Sequence, residues 1–368
     1  MCWLSDAMPT SDCAIVHALR EPEWLTHASS LEWDAVIRQG RRANVLARLH
    51  CALEALSCLA NLPAAPRAHL DAARVIADKQ ATAVRWEIGK IQTAITHCDA
   101  PLILLKGAAY LLAGLTAGCG RVFSDIDILV PKLRINHVEA ALMQHGWVTT
   151  QHDAYDQRYY RRWMHEIPPL QHIRRQSVID VHHAILPETA RLKPEPALLL
   201  AAARPIPDAP GLFTLSPADM VLHSASHLFC GEFEHGLRDL SDIDLLLREF
   251  GTVAGFWDGL AARAQSLDLA RPLYYALHWA TRLFATPVPP LVLREIDACA
   301  RPSMPVKQLM NALLQRALAP DHASCRDALS GPARGLLYAR AHWLRMPAHL
   351  LAYHLAHKAL FPPRAGAN

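Results

Sequence analysis

No run of eighteen consecutive apolar residues occurs anywhere in the 368-residue chain, so no transmembrane helix is expected. Charge of one sign is also lacking. Thirty-seven basic and 34 acidic side chains leave a net +3, without the basic excess of a sequence-independent nucleic-acid binder. The nine cysteines (2, 13, 51, 58, 98, 119, 230, 299, 325) are odd in number and contain no Cys-x-x-Cys pair. That pattern argues against a zinc knuckle or disulfide framework and for a reducing, cytoplasmic setting. Asp6, Pro9 and Asp12 stand where a signal peptide would need an apolar stretch, so none is read. Solenoid repeats and low-complexity tracts are absent.

What is present is apolar residues: they make up 52 % of the chain, with Ala, Leu and Arg prominent, which predicts a mostly helical protein with a substantial core. The length allows two or three modest domains. Residues 1–99 read as a helical region. Val36, Val45, Leu49, Leu53 and Leu56 recur at helix spacing, Pro63 and Pro66 break the run, and a second helix is predicted over 68–97. The texture changes at Pro101. Strands are predicted at 102–105, 122–130, 147–151, 159–165 and 178–182, with helices at 108–115 and 136–145. The order βαβαβ followed by more β predicts an α+β core, a small mixed sheet over 100–190 flanked by helical regions. Residues 193–210, rich in Pro and Ala, read as a linker with at most one helical turn. Ser216-Pro217 then caps a helical remainder, assigned with the linker to a domain over 191–368 and punctuated at Pro287–Pro290 and Pro362–Pro363.

Chemistry concentrates at Ser124-Asp125-Ile126-Asp127-Ile128-Leu129-Val130. On a strand, Asp125 and Asp127 share one face while Ile126 and Ile128 enter a core. Two parallel carboxylates repel unless a cation sits between them, and magnesium suits such hard oxygen ligands. Asp180, in Val178-Ile179-Asp180-Val181-His182, is the third acid, sharing a face with His182. It could hold a second ion or take the proton from an attacking hydroxyl. Upstream, Lys106-Gly107-Ala108 follows an apolar strand. Gly107 permits a tight turn, the following backbone N–H groups face outward, and Lys106 could neutralise phosphate. Arg121 and Ser124 are placed by sequence to reach the same site.

Three other features compete for function. Ser241-Asp242-Ile243-Asp244 nearly repeats the strand motif. Leu237, Leu240, Ile243, Leu247 and Phe250, however, follow helical spacing, with Phe229 and Phe233 continuing it upstream. On a helix, positions i and i+2 diverge by about 200°, so this copy cannot form the same pair, although Asp242 could lend a single acid. Among the 21 histidines, His182-His183 and the i, i+4 pair His223 and His227 are the best clusters. No Glu follows His223 and no third ligand is evident, so zinc is not expected. The stretch 337–360 carries Arg340, Arg345 and Lys358 among Leu, Trp and Tyr. A packed helix interrupted at Pro347 explains it better than a membrane surface does.

Together, Leu105-Lys106-Gly107-Ala108, Arg121, Asp125-Ile126-Asp127 and Asp180-Val181-His182 resemble a bacterial family of uncharacterised nucleotidyltransferase-like proteins. Those proteins fall within the superfamily that shares the DNA polymerase β-type fold. The resemblance implies magnesium-dependent transfer of a nucleoside monophosphate from an NTP, ATP first, to an unidentified acceptor hydroxyl, with pyrophosphate released. Asp125, Asp127 and Asp180 would hold two magnesium ions roughly 3.5–4 Å apart. Lys106, Gly107, Ala108, Arg121 and Ser124 would face the nucleotide, with His182, His227 and Asp242 as accessory groups. The competing expectation is a catalytically inactive module on the same fold that binds a protein or peptide.

Overall fold

The computed structural model describes residues 13–150 and 153–353. The readings on the amino-terminal dozen, Gln151, Lys358 and Pro362–Pro363 lie outside them. Four helices come first: α1 (Ala14–Arg20), α2 (Ser30–Arg42), α3 (Leu46–Ala55) and the long α4 (Ala64–Ile95). Ser29 starts α2 with a complete capping box, its hydroxyl accepting from the Glu32 N–H while the Glu32 carboxylate accepts from the Ser29 N–H. Asn44, at φ +56°, separates α2 from α3. Pro66 does not break α4, because it falls in the first turn, where no intrahelical N–H is required.

The central segment alternates strands and helices: β1 (Leu102–Leu104), α5 (Lys106–Leu112), β2 (Ile126–Leu129), α6 (Ile135–Gln144), β3 (Trp147–Thr149), α7 (Ala154–Trp163), β4 (Leu170–His172) and β5 (Val178–His182). It continues through α8 (Pro196–Ala202), β6 (Arg204–Pro205) and β7 (Leu212–Thr214). The seven strands form one mixed sheet in the order β3-β4-β5-β2-β1-β7-β6. β2 runs parallel to β5 and antiparallel to β1, and β1 runs parallel to β7.

The α+β architecture with helical flanks therefore stands, with three corrections. The expected strand over 159–165 is mostly helix: Asp153 accepts from the Tyr155 and Asp156 N–H groups and launches α7, whose aromatics stack at i, i+4. The expected linker over 193–210 contains α8 and the strand β6, which pairs with β7 just beyond it; Leu212–Thr214 in turn supplies backbone partners to β1, which would otherwise be a sheet edge. β2 is also shorter than expected, starting at Ile126, so Asp125 precedes the strand.

The remainder is helical: α9 (Pro217–Phe229), α10 (Gly236–Phe250), α11 (Phe256–Ser266), α12 (Ala270–Phe284), α13 (Pro290–Ala300), α14 (Met304–Ala317) and α15 (Ser330–Arg345). Ser216 caps α9 by accepting from the Asp219 N–H. Phe229 and Phe233 are not upstream turns of α10. α9 ends at Phe229, and Phe233 sits at φ +62° in the connection. α15 stops at Arg345, ahead of Pro347. Among the described residues no helix is long and apolar enough to cross a membrane.

Burial follows the pleat. Ile126, Ile128, Ile179 and Val181 are buried on one face of β2 and β5, each contributing about 1.5–3 kcal/mol. The acids are left on the other face.

Candidate active site

The register of the sheet brings the acids together. Asp127 pairs directly with Asp180 on the neighbouring parallel strand, so both side chains leave the sheet on the same face. Asp125 joins them from just before β2, held by a 2.8 Å hydrogen bond from the Ser124 hydroxyl to its Oδ1. One carboxylate oxygen from each of Asp125, Asp127 and Asp180 lies within 4.8 Å of the others. Three such carboxylates repel strongly unless something positive lies among them.

Two nitrogen-bearing side chains already lean on Asp127. Lys106 Nζ lies 2.8 Å from Asp127 Oδ1 and His182 Nε2 lies 3.0 Å from it. Lys106 opens α5 at φ +46°, a conformation uncommon for a side-chain-bearing residue. Burial alone would push the Asp127 carboxyl up, yet the neighbouring Lys106 and His182 hold it well below the usual carboxylate range. Asp180 goes the other way. Burial, reinforced by the charges of Asp127 and Glu166, pushes its carboxyl up to about 7. Its Oδ1 is buried without a hydrogen-bond partner. An orphaned oxygen beside two more carboxylates is a donor set made for a hard cation.

Asp180 makes a stability prediction of definite sign. Its carboxyl holds a proton more tightly in the folded chain, at about 7, than at the ordinary value of 3.8. It therefore costs nothing below about pH 4 and destabilises progressively as pH rises to about 7. Asp180→Asn cannot ionise. In chelator-treated buffer it should be more stable than the native chain at pH 8, by on the order of a few kcal/mol, with the gap closing towards pH 4. Thermal melts across that range check it.

The other expected residues are distributed around the same face. Arg121 is buried between Tyr110 and Phe123, its Nε 3.0 Å from Asp242 Oδ2. Asp242 lies on α10, and its other oxygen receives Arg48 at 2.5 Å. One buried carboxylate thus serves two guanidiniums. Gly107 leaves room for the first of these, since a Cβ there would sit 2.1 Å from Arg121 Nη1 and 2.8 Å from its Cζ. Gly107→Ala should push Arg121 off its seat, destabilise the fold by about 1–3 kcal/mol and weaken nucleotide binding. A denaturation curve and a nucleotide titration on the same variant check both effects. Gly120, at φ +63°, is equally constrained, because a Cβ would meet the Ala47 carbonyl at 2.4 Å.

A cavity of about 340 Å³ opens beside Asp125 and Asp127, while Asp180 does not line it. Lys106, Gly107, Arg121, Ser124, Asp125 and Asp127 form its sheet side. The far wall comes from α9, α10 and the turn between them, including His227, His235, Arg238 and Asp242, with Arg345 from α15. Ala108 is buried behind the turn and does not line the cavity. His227 Nδ1 stands 3.9 Å from Asp239. Sequence reasoning missed Glu166, Arg238 and Arg345. Glu166 lies 3.2 Å from His182 Nδ1 across an isolated β-bridge. Its only signal is its place in the dipeptide His165-Glu166 ahead of Pro168-Pro169.

Against this geometry, a family model described as an uncharacterised nucleotidyltransferase matches residues 29–285. The chain belongs to this family. The matched segment runs from the cap of α2 to the end of α12, taking in the whole sheet and all three acids. α13–α15, and with them Arg345, lie beyond it. Membership in a nucleotidyltransferase family brings a general nucleotidyltransfer role, with a nucleoside triphosphate and a divalent metal as its usual requirements. Comparison with the curated proteins and with the solved structures gives no match.

Proposed function

We propose that the chain transfers a nucleoside monophosphate from an NTP, ATP in the first instance, to an acceptor hydroxyl and releases pyrophosphate, with magnesium as cofactor. The observation that carries this is the in-register pairing of Asp127 with Asp180, joined by Asp125 within 4.8 Å, where the Asp180 oxygen is buried and unpaired. The all-oxygen donor set fits magnesium, with Asp125, Asp127 and Asp180 as its holders. Bound by these carboxylates, magnesium would supply neutralisation of the charge on the phosphates and on the leaving pyrophosphate.

The chain's own residues supply the rest. Lys106 brings an ammonium to the carboxylate edge, where phosphate oxygens must lie. Arg121, fixed from behind by Asp242, presents a second cation to the cavity. Asp180, paired in register with Asp127, is placed to orient the acceptor hydroxyl or take its proton. Positioning and charge neutralisation would provide most of the rate gain. The cavity falls in the size range of small-ligand sites. The scattered cysteines, without a Cys-x-x-Cys pair, favour a cytoplasmic setting.

The test is a screen of the purified full chain with each NTP and with candidate small-molecule, peptide and protein acceptors, read as pyrophosphate release. Magnesium-dependent release that stops on chelation is the expected result. Release that ignores chelation, or none with any NTP, overturns the reading.

A further inference from the structure

A second group of possible ligands adjoins the acids but differs from them in chemistry. His165 and Glu166 lie in the turn after α7, and the Glu166 backbone meets His182 across an isolated antiparallel bridge. One ligand atom from each of His165, Glu166 and His182 falls within 4.8 Å of the others. His182 Nδ1 stands 3.2 Å from Glu166 Oε2, the spacing of neighbouring ligands around a tetrahedral ion with bonds of about 2.0–2.2 Å.

The histidine nitrogens are what make this more than a cluster. His165 Nδ1 and His182 Nδ1 are both buried, and neither has a hydrogen-bond partner, the Glu166 contact lacking the alignment one requires. The His182 side chain is only 4 % exposed. A buried polar atom left unpaired costs about 1–3 kcal/mol, and these two belong to residues grouped with one carboxylate, so the group calls for an occupant. The other ring nitrogen of His182, Nε2, faces Asp127 Oδ1 at 3.0 Å. An imidazole that donates from Nε2 to a carboxylate offers its Nδ1 lone pair, which is how metal-bound histidines are oriented.

We propose that His165, Glu166 and His182 form a second metal site, taking zinc or another late first-row divalent ion, distinct from the Asp125–Asp127–Asp180 group. Two imidazoles and one carboxylate form a borderline donor set that prefers such ions to magnesium, and three protein ligands leave a fourth position open. The ion ties the turn after α7 to the end of β5 and fixes His182 in the tautomer that donates to Asp127. The site therefore positions an acid of the neighbouring group without sharing its ligands.

The experiment uses the full chain, stripped with chelator and titrated with cobalt(II) while magnesium is held in excess. The expected result is one equivalent of cobalt per chain with visible d–d bands of low coordination number, displaced by one equivalent of zinc. His165→Ala and Glu166→Gln should each weaken cobalt binding by about tenfold or more. The double variant Asp125→Asn with Asp180→Asn should keep the bands, so the result stands whether or not the transferase reading survives. Absence of d–d bands in the native chain overturns the proposal, and that readout needs no variant to fold. Bands that survive His165→Ala but vanish in the double Asp variant also overturn it, by placing the ion among the acids.

Discussion

Asp127→Asn should lower NTP turnover by about a thousandfold or more. The carboxylate is the meeting point of the site. It adjoins Asp125 and Asp180 within 4.8 Å, receives Lys106 at 2.8 Å and receives His182 at 3.0 Å. A metal's charge stabilisation of a transferring phosphoryl group is worth several kcal/mol, and each 1.36 kcal/mol is a factor of ten in rate. Magnesium affinity should fall with turnover, because the amide keeps the shape of the side chain but not its charge. The same change leaves Lys106 buried without its counter-ion, so some loss of stability accompanies the loss of rate. Steady-state pyrophosphate release, magnesium titration and a denaturation curve on one preparation separate the three effects. Turnover and magnesium binding that both persist would show that Asp127 has been assigned the wrong role.

Asp242→Ala should be the most destabilising single change near the site, at about 3–5 kcal/mol. Its carboxylate is buried with Arg48 on one oxygen and Arg121 on the other. Arg48 also reaches the Ala117 carbonyl at 2.8 Å and the Ser241 hydroxyl, so it cannot swing out to water without breaking those bonds. Removing the acid strands two largely buried guanidiniums, and a stranded buried charge costs more than the pair ever contributed. Urea denaturation of the native and Asp242→Ala chains gives the difference directly. Arg48→Met combined with Asp242→Leu should recover part of it, since one of the two uncompensated charges is removed while that of Arg121 remains.

The clustered acids were legible in the sequence because strand alternation is short-range physics. Ile126, Ile128, Ile179 and Val181 mark the buried face of their strands, so Asp127, Asp180 and His182 had to emerge on the other. The helical reading of Asp242 was legible for the same reason, with Leu240, Ile243 and Leu247 spaced to bury one helix face. What periodicity cannot carry is partnership across long sequence separations. Nothing local in Asp242 says that it anchors Arg121 and Arg48. Nothing in Leu212–Thr214 says that it completes the sheet beside β1, since a three-residue strand is too short to show alternation. The segment 159–165 misled because its tyrosines and Trp163 favour strands in isolation. The Asp153 cap and i, i+4 aromatic stacking decided for helix. Glu166 stayed invisible because its partner, His182, is reached only through the bridge that the folded chain makes.

The most direct measurement is calorimetric titration of ATP into the native chain and into Asp180→Asn, each with magnesium and with chelator. Three converging carboxylates that work by holding a cation predict that the native chain binds ATP tightly only when magnesium is present, and that Asp180→Asn loses most of that difference. Equal ATP binding with and without magnesium in the native chain, or a magnesium effect untouched in Asp180→Asn, would contradict it.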